Sequence, residues 1–444
     1  MRELAVWIEG VAFPVGSLTK SLTGTVAFCY SDEWLVEPAA FGISLSLPLI
    51  TGSFGDALSR AFFSNLLNEN DQLNHLLRRE RLDRHDLVGI LFHLGSDCAG
   101  AVSCLAAGAP PVKRPGDLAT DYDVIDDLVL AELIKRLASG RALPPEIRDP
   151  SPVAGYRRKI ALAQTLAGQF AIPKSGSGVP TTHILKIPDP GHRGEAEQEA
   201  AAARLAIRCG LDCATSNAST FDGQDILIIE RFDRVRTPAG LVLRVHQEDF
   251  AQALGLPDDL KYERRAIGSF RFDAAAIATI LNRTASPALA QELFLRFTLF
   301  NLMIGNSDNH AKNHALLYPF GEAPSLAPLY DMVPIPLGGG YTDEFAFNIG
   351  NASRASELTL ADLVAFCVTL GISANRAEKI LTDHMVDLVA RLDRASEGFK
   401  GSLRFFDMLI GREINRLLDL FNLDISLRER DYFPEKPVGG WLMS

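Results

Sequence analysis

The densest chemistry in the chain lies at 305–317, GNSDNHAKNHALL. Asp308, His310, Lys312, Asn313 and His314 fall within seven consecutive positions, directly after an apolar run. Polar groups crowded beside a core element must be satisfied by one another or by a ligand. Eighteen residues beyond Asn313 stands Asp331, in SLAPLYDMVP, which also follows an apolar run, Leu326–Tyr330. Two carboxylates and an amide supply hard oxygen donors of the kind Mg2+ takes. A carboxylate beside a hydroxyl can accept its proton as that oxygen attacks phosphorus. The set points to phosphoryl transfer. Asp-x-x-x-x-Asn recurs by chance; its place between an apolar helix and a second Asp after an apolar strand is what singles it out.

Upstream, Lys186 sits among apolar residues in PTTHILKIP, 180–188. Such a Lys either snorkels to water from an edge strand or meets an anion. The catalytic loop of protein kinases, H-R-D-x-x-x-x-N, has the Asp308–Asn313 spacing, with a second metal-binding Asp downstream where Asp331 stands. That arrangement puts Lys186 on the nucleotide phosphates, paired with a helix glutamate. Glu199 is the best partner, with Glu195 and Glu197 as competitors. ERFDR, 230–234, follows the apolar strand Ile226–Ile229, where a kinase hinge touches adenine through its backbone. Asp233 with Arg231 or Arg234 is equally read as a surface ion pair.

These residues need a scaffold, and 444 residues suffice for two or three domains or one lobed enzyme. A hydrophobic share of 47% against 22% charged residues excludes global disorder and collagen-like order. The net charge of −11 disfavours direct binding to a phosphate backbone. Arg78, Arg79, Arg81 and Arg84 are interrupted by acidic residues and read as a solvated helix face. Six cysteines without a CxxC pair read as buried thiols of a reducing compartment. With no signal-like N-terminus and no run of 18 apolar residues, a cytoplasmic location is expected, without a membrane partner.

Hydrophobic periodicity predicts strands at Leu4–Ile8, Gly24–Tyr30 and Ile43–Leu49, then a helix over 56–67. Residues 106–121 read as a linker and Tyr122–Ala138 as a helix. Lys159–Thr165, Phe170–Pro173 and His183–Ile187 read as strands, and Glu195–Cys209 as an Ala-rich helix. The remainder is mostly helical, at Leu289–Leu302, Leu358–Leu370, Asn375–Arg391 and Leu403–Phe421.

In order along the chain, ISLSLPL (43–49), FFSNLLNEN (62–70), DCAGAV (97–102), VAGYRRKIALA (153–163), PTTHILKIP, ERFDR, HQEDFAQALG (246–255), IGNSDNHAKNHALL (304–317) and LAPLYDM (326–332) resemble the HipA family. The resemblance spans nearly the whole chain. It implies an α+β fold: a small N-terminal α/β subdomain over 1–107, a linker and helix over 108–150, a kinase-like lobe over 151–240, and an all-helical lobe over 241–444 on a protein-kinase or lipid-kinase-like core. It implies an ATP- and Mg2+-dependent serine/threonine-protein kinase, the toxin of a type II toxin–antitoxin pair. Asp308 would be the catalytic base, Asn313 and Asp331 the metal ligands and Lys186 the phosphate-binding lysine. Glu230 and Phe232 would be the adenine-contacting hinge. Asp233, Val153, Ala154, Gly155, Arg157, His310 and Lys312 would be further nucleotide contacts. The partners implied are a HipB-like helix-turn-helix antitoxin, DNA through it alone, and a protein substrate of the aminoacyl-tRNA synthetase class whose phosphorylation halts translation.

The chain departs from the family in one loop. Pro152 stands where members carry an autophosphorylated Ser, with Ser151 adjacent, and Arg157 replaces a Gln. A non-catalytic regulator of an antitoxin and a small-molecule kinase are the other readings. Retention of Asp308, Asn313 and Asp331 together favours catalysis over the first.

Overall fold

The structure is a computed structural model describing residues 2–67, 71–141, 143–144, 158–189, 191–192, 194–338 and 343–433. Ser151, Pro152, Val153, Ala154, Gly155 and Arg157 lie outside the described residues. The chain divides into two units. The first takes Met1–Asp189, Thr220–Asp258 and Leu316–Pro324; the second takes Pro190–Ser219, Asp259–Ala315 and Ser325–Ser444.

The first unit opens with an antiparallel sheet in the spatial order Ser53–Phe54, Val26–Tyr30, Gly16–Lys20, Arg2–Ile8, Val102–Ala106. Alternation puts Leu4, Val6 and Ile8 on one face, and they are buried with Leu18, Val26 and Phe28. Phe62 and Phe63 of the helix Asp56–Ser64, and Ile90 and Leu91 of Leu87–Leu94, complete that core. A second sheet includes, in order, Gln224–Glu230, His183–Ile187, Arg158–Gln164, Phe170–Pro173 and Tyr122–Val124. The helix Asp127–Ala138 lays Leu130, Ile134 and Leu137 against Ile160, Leu162, Leu185, Ile187 and Ile226. Each such side chain contributes about 1.5–3 kcal/mol by leaving water.

Two local expectations change. Ile43–Leu49 is not a strand: Ser44 and Leu47 form only an isolated bridge. Its polar groups are taken by residues far along the chain instead, with the Leu45 N–H on the Glu248 carboxylate at 2.9 Å and the Ser46 hydroxyl on the Gln252 backbone carbonyl at 2.7 Å. Alternating Ser and Leu mimic a half-buried strand while serving an anchored turn. Tyr122–Ala138 is not one helix either. Tyr122–Val124 pairs with Phe170–Pro173, and the helix begins only after Asp126, whose carboxylate accepts the Val129 N–H.

In the second unit, the helix Glu195–Arg208 buries Ala196, Ala200, Ala202 and Ala206. Pro287–Met303 starts with Pro at its first turn and runs apolar into the core, ending just before the Asn306–Asn313 loop. Leu360–Leu370, Ala374–Ala395 and Arg404–Phe421 follow, the first with a Thr359–Asp362 capping box. This region is not all-helical. A hairpin of Glu344–Ile349 and Ala352–Arg354 interrupts it, and the Ala346 N–H donates to the Ser307 carbonyl at 3.0 Å. No single described helix is long and apolar enough to cross a membrane. All six thiols are free, four of them buried.

Candidate active site

The helix Pro287–Met303 delivers the chain to a loop held by both backbone bonds and asparagine side chains. Asn301 is buried at the helix end, and its carboxamide oxygen accepts from Asn306 Nδ2 at 2.8 Å. Asn306 Oδ1 in turn accepts the Asp308 N–H at 3.2 Å. Past Asp308, the His310 N–H returns to the Asp308 carbonyl at 2.8 Å, and Asn313 Nδ2 donates to the same carbonyl at 2.9 Å. The five-residue spacing therefore has a local cause: the Asn313 amide ties the loop onto the backbone of Asp308. His314 is buried, with its Nε2 at 3.2 Å from the Asn309 carbonyl.

The Asp308 carboxylate is half-buried. Tyr262, 46 residues upstream, donates its hydroxyl to Asp308 Oδ1 at 2.8 Å. Arg264 covers the Tyr262 ring, its guanidinium carbon 4.0 Å from the ring centre, and His310 packs edge-on at 5.1 Å. Burial raises the Asp308 pKa above the usual carboxylate range; the Tyr262 bond opposes this and the negative charge of Asp331 adds to it. A carboxylate held up in this way is a stronger base. Burial, with Lys261 beside it, presses the His310 imidazole down to about 3, so it is neutral at physiological pH. His310 Nδ1 is buried with no hydrogen-bond partner, an acceptor or donor left to a ligand.

Asp331 adopts a left-handed backbone, φ +56°, sparsely populated outside glycine. The two residues before it are pinned: the Leu329 N–H donates to the Asp212 carbonyl at 2.9 Å, and the Tyr330 hydroxyl to the Lys312 carbonyl at 2.8 Å. Lys312 itself is buried. No group of three His, Cys, Asp or Glu side chains is placed to hold a metal among the described residues. The predicted metal ligands, Asn313 and Asp331, fall outside that pattern, since one is an amide. Both offer oxygen donors, and the negative charge of Asp331 beside the Asp308 carboxylate is a cost that a divalent cation relieves. The pair fits Mg2+.

The remaining predicted residues divide between the units. In the first, Lys186 lies on a central strand, opposite Lys159 on one neighbour and Leu227 on the other, and is half-buried. The edge-strand reading is therefore excluded. Glu230 ends the next strand, opposite His183, with its side chain exposed; Phe232 is half-buried. Asp233 is no surface residue: it is 2% exposed, and Arg231 is 5% exposed. Arg231 Nε and Nη2 meet its two oxygens at 3.0 and 2.9 Å, and Arg234 Nη1 lies at 2.7 Å. Burial alone would raise this carboxyl, but the two guanidiniums hold it well below the usual range. In the second unit, Glu199 is buried on Glu195–Arg208. Sequence reasoning missed Tyr262, which lies in a loop and whose only signal is KYERR, a tyrosine between cations.

A sequence model of the HipA-like C-terminal domain matches residues 151–392, and one of the HipA N-terminal domain matches 4–105. A protein called putative kinase Y4mE from Sinorhizobium fredii is 31% identical over 420 residues, covering 93% of this chain and 98% of its own. The serine/threonine-protein kinase toxin HipA of Shewanella oneidensis is 28% identical over 397 residues, 86% of either chain. The solved complex of Shewanella oneidensis HipA with HipB and its operator DNA matches with a TM-score of 0.77 at 24% identity, over 95% of this chain and 100% of that one, a likeness of fold. With both domain models matched in order, the chain belongs to the HipA family.

Proposed function

We propose that this HipA-family protein kinase transfers the γ-phosphoryl group of ATP, with Mg2+, to a serine or threonine hydroxyl of a cytoplasmic protein, and acts as the toxin of a HipBA-type pair. The observation that carries the reading is the Asp308 loop. A carboxylate of raised pKa is oriented by the Tyr262 hydroxyl, and the Asn313 amide is bound to its backbone. Asp308 Oδ2 accepts the acceptor hydroxyl's proton while the new O–P bond forms and the bond from the γ-phosphorus to the β–γ bridging oxygen breaks, releasing ADP. Asn313 and Asp331 hold Mg2+, which when bound offsets phosphate charge. Lys186 binds phosphate. The backbone at Glu230 and Phe232 receives adenine. The neutral His310 ring, with its partnerless Nδ1, takes a polar group of the nucleotide.

The proposed target belongs to the aminoacyl-tRNA synthetase class, so that its phosphorylation would inhibit translation. The partner is a HipB-like helix-turn-helix antitoxin that makes the DNA contact. An acidic chain of net charge −11 suits that division. Phosphoproteomics on lysate treated with Mg-ATP and the purified protein tests the reading, with Asp308→Gln as control. New phosphosites on one or a few proteins, made by wild type alone, are expected. No difference between the two folded proteins would overturn it.

A further inference from the structure

The DCAGAV segment reaches ERFDR through one backbone N–H. Gly100 donates to Asp233 Oδ2 at 2.9 Å, and its carbonyl lies 3.4 Å from Arg234 Nη1. Gly100 has φ +65°, and a Cβ there would stand 2.6 Å from the Gln247 backbone nitrogen. Only glycine fits this approach. Gln247 adds its own Nε2 to Asp233 Oδ2 at 3.3 Å. Asp233 thus gathers two arginines, an amide from the N-terminal domain and a glutamine, with its own carbonyl accepting the Val245 N–H at 3.0 Å.

The same contact is doubled one strand along. Arg244 joins Glu9 at 2.5 Å and Asp97 at 2.9 Å, both from the N-terminal domain, and its own N–H donates to Glu9 Oε1 at 3.0 Å. All three side chains are almost fully buried. Buried charges held by several partners permit one geometry, because moving any partner strands a charge in low dielectric. The segment so fixed is short. Asp233 follows Phe232 directly, the Arg231 N–H is bonded to the Thr182 carbonyl at 3.0 Å, and Arg231 Nη1 holds Thr181 Oγ1 at 3.2 Å.

From this geometry we infer that Asp233 is a positioning residue rather than a nucleotide contact. Through the Gly100 N–H, the N-terminal domain sets the 230–232 backbone that receives adenine. The inference rests on the kinase reading above. It makes the N-terminal domain part of the nucleotide site's construction, coupled to it through the Gly100–Asp233 bond.

The test is ATP binding and steady-state kinetics of the full chain, with wild type beside Gly100→Ala, Asp233→Asn and the milder Gln247→Ala. ATP affinity falls about tenfold in the first two and less in the third, a size usual for coupled sites. KM for ATP rises while kcat at saturating ATP holds, a split that general destabilisation does not produce. Hydrogen exchange on wild-type protein needs no variant: ATP slows exchange of the Gly100 amide, by reciprocity of the coupling. Folded variants with wild-type ATP affinity, or a Gly100 amide indifferent to ATP, would overturn the inference and leave the kinase standing. A wild-type protein that binds no ATP would overturn both.

Discussion

Tyr262→Phe removes one hydroxyl and little else, since the ring keeps its packing under Arg264 and beside His310. Asp308 then loses the 2.8 Å bond from the Tyr262 hydroxyl. A hydrogen bond to a charged group is worth about 1.5–3 kcal/mol, and this half-buried pair belongs at the low end. The Asp308 pKa therefore rises further. The direction is set by the site: burial and Asp331 already push this carboxyl up, and Tyr262 is the group that pulls it down. The acid limb of kcat/KM reports the free enzyme's base. Phosphoryl transfer to the acceptor protein, followed from about pH 5 to about pH 9, should show that limb moved to higher pH. Above the limb, the variant retains most of its rate. An acid limb that stays in place, or moves to lower pH, would refute the assignment of Tyr262 to the base.

Asp308→Gln should lower transfer about 10²–10⁴-fold at an unchanged melting temperature, the loss usual for a missing general base; calorimetry alongside the rate assay checks both. Chelation with EDTA should stop transfer and added Mg2+ restore it, and Asp331→Asn should demand more Mg2+ for half-maximal rate. Glu248 gives a test of stability. It is fully buried and accepts from Ser44, Tyr318 and the Leu45 N–H, yet burial dominates and lifts its carboxyl from 4.5 to about 7. A raised folded-state pKa gives stability that is whole below the unfolded value and is lost as pH rises through about 7. The shift corresponds to about 3 kcal/mol. Glu248→Gln should therefore melt higher than wild type at about pH 8, with the gap closing towards pH 4.5; equal melting temperatures at both pH values would count against it.

Much of the scaffold was legible because its signals are local. His183–Ile187 and Phe170–Pro173 matched the predicted strands, and Glu195–Arg208 ended within one residue of its predicted limit. Apolar alternation, helical spacing and stop residues act over a few positions, so they survive without tertiary context. Ile43–Leu49 failed because its alternation belongs to a turn pinned by Glu248, some two hundred residues away. The hairpin Glu344–Ile349 was hidden by its position among helices.

The candidate site divides the same way. Asp308, Asn313 and Asp331 stood out by residue type and spacing, since five residues suffice for an amide to reach back to a carbonyl. What the sequence by itself determined was thus the α+β class and the family, and it singled out the residues proposed for phosphoryl chemistry. Only the tertiary structure decided which groups tune and place them: Tyr262 on Asp308, a central rather than edge strand for Lys186, and Gly100 on Asp233 across 133 positions. Bonds of that reach depend on the path of the whole chain. No local periodicity encodes them, because their partners meet only once the core has formed.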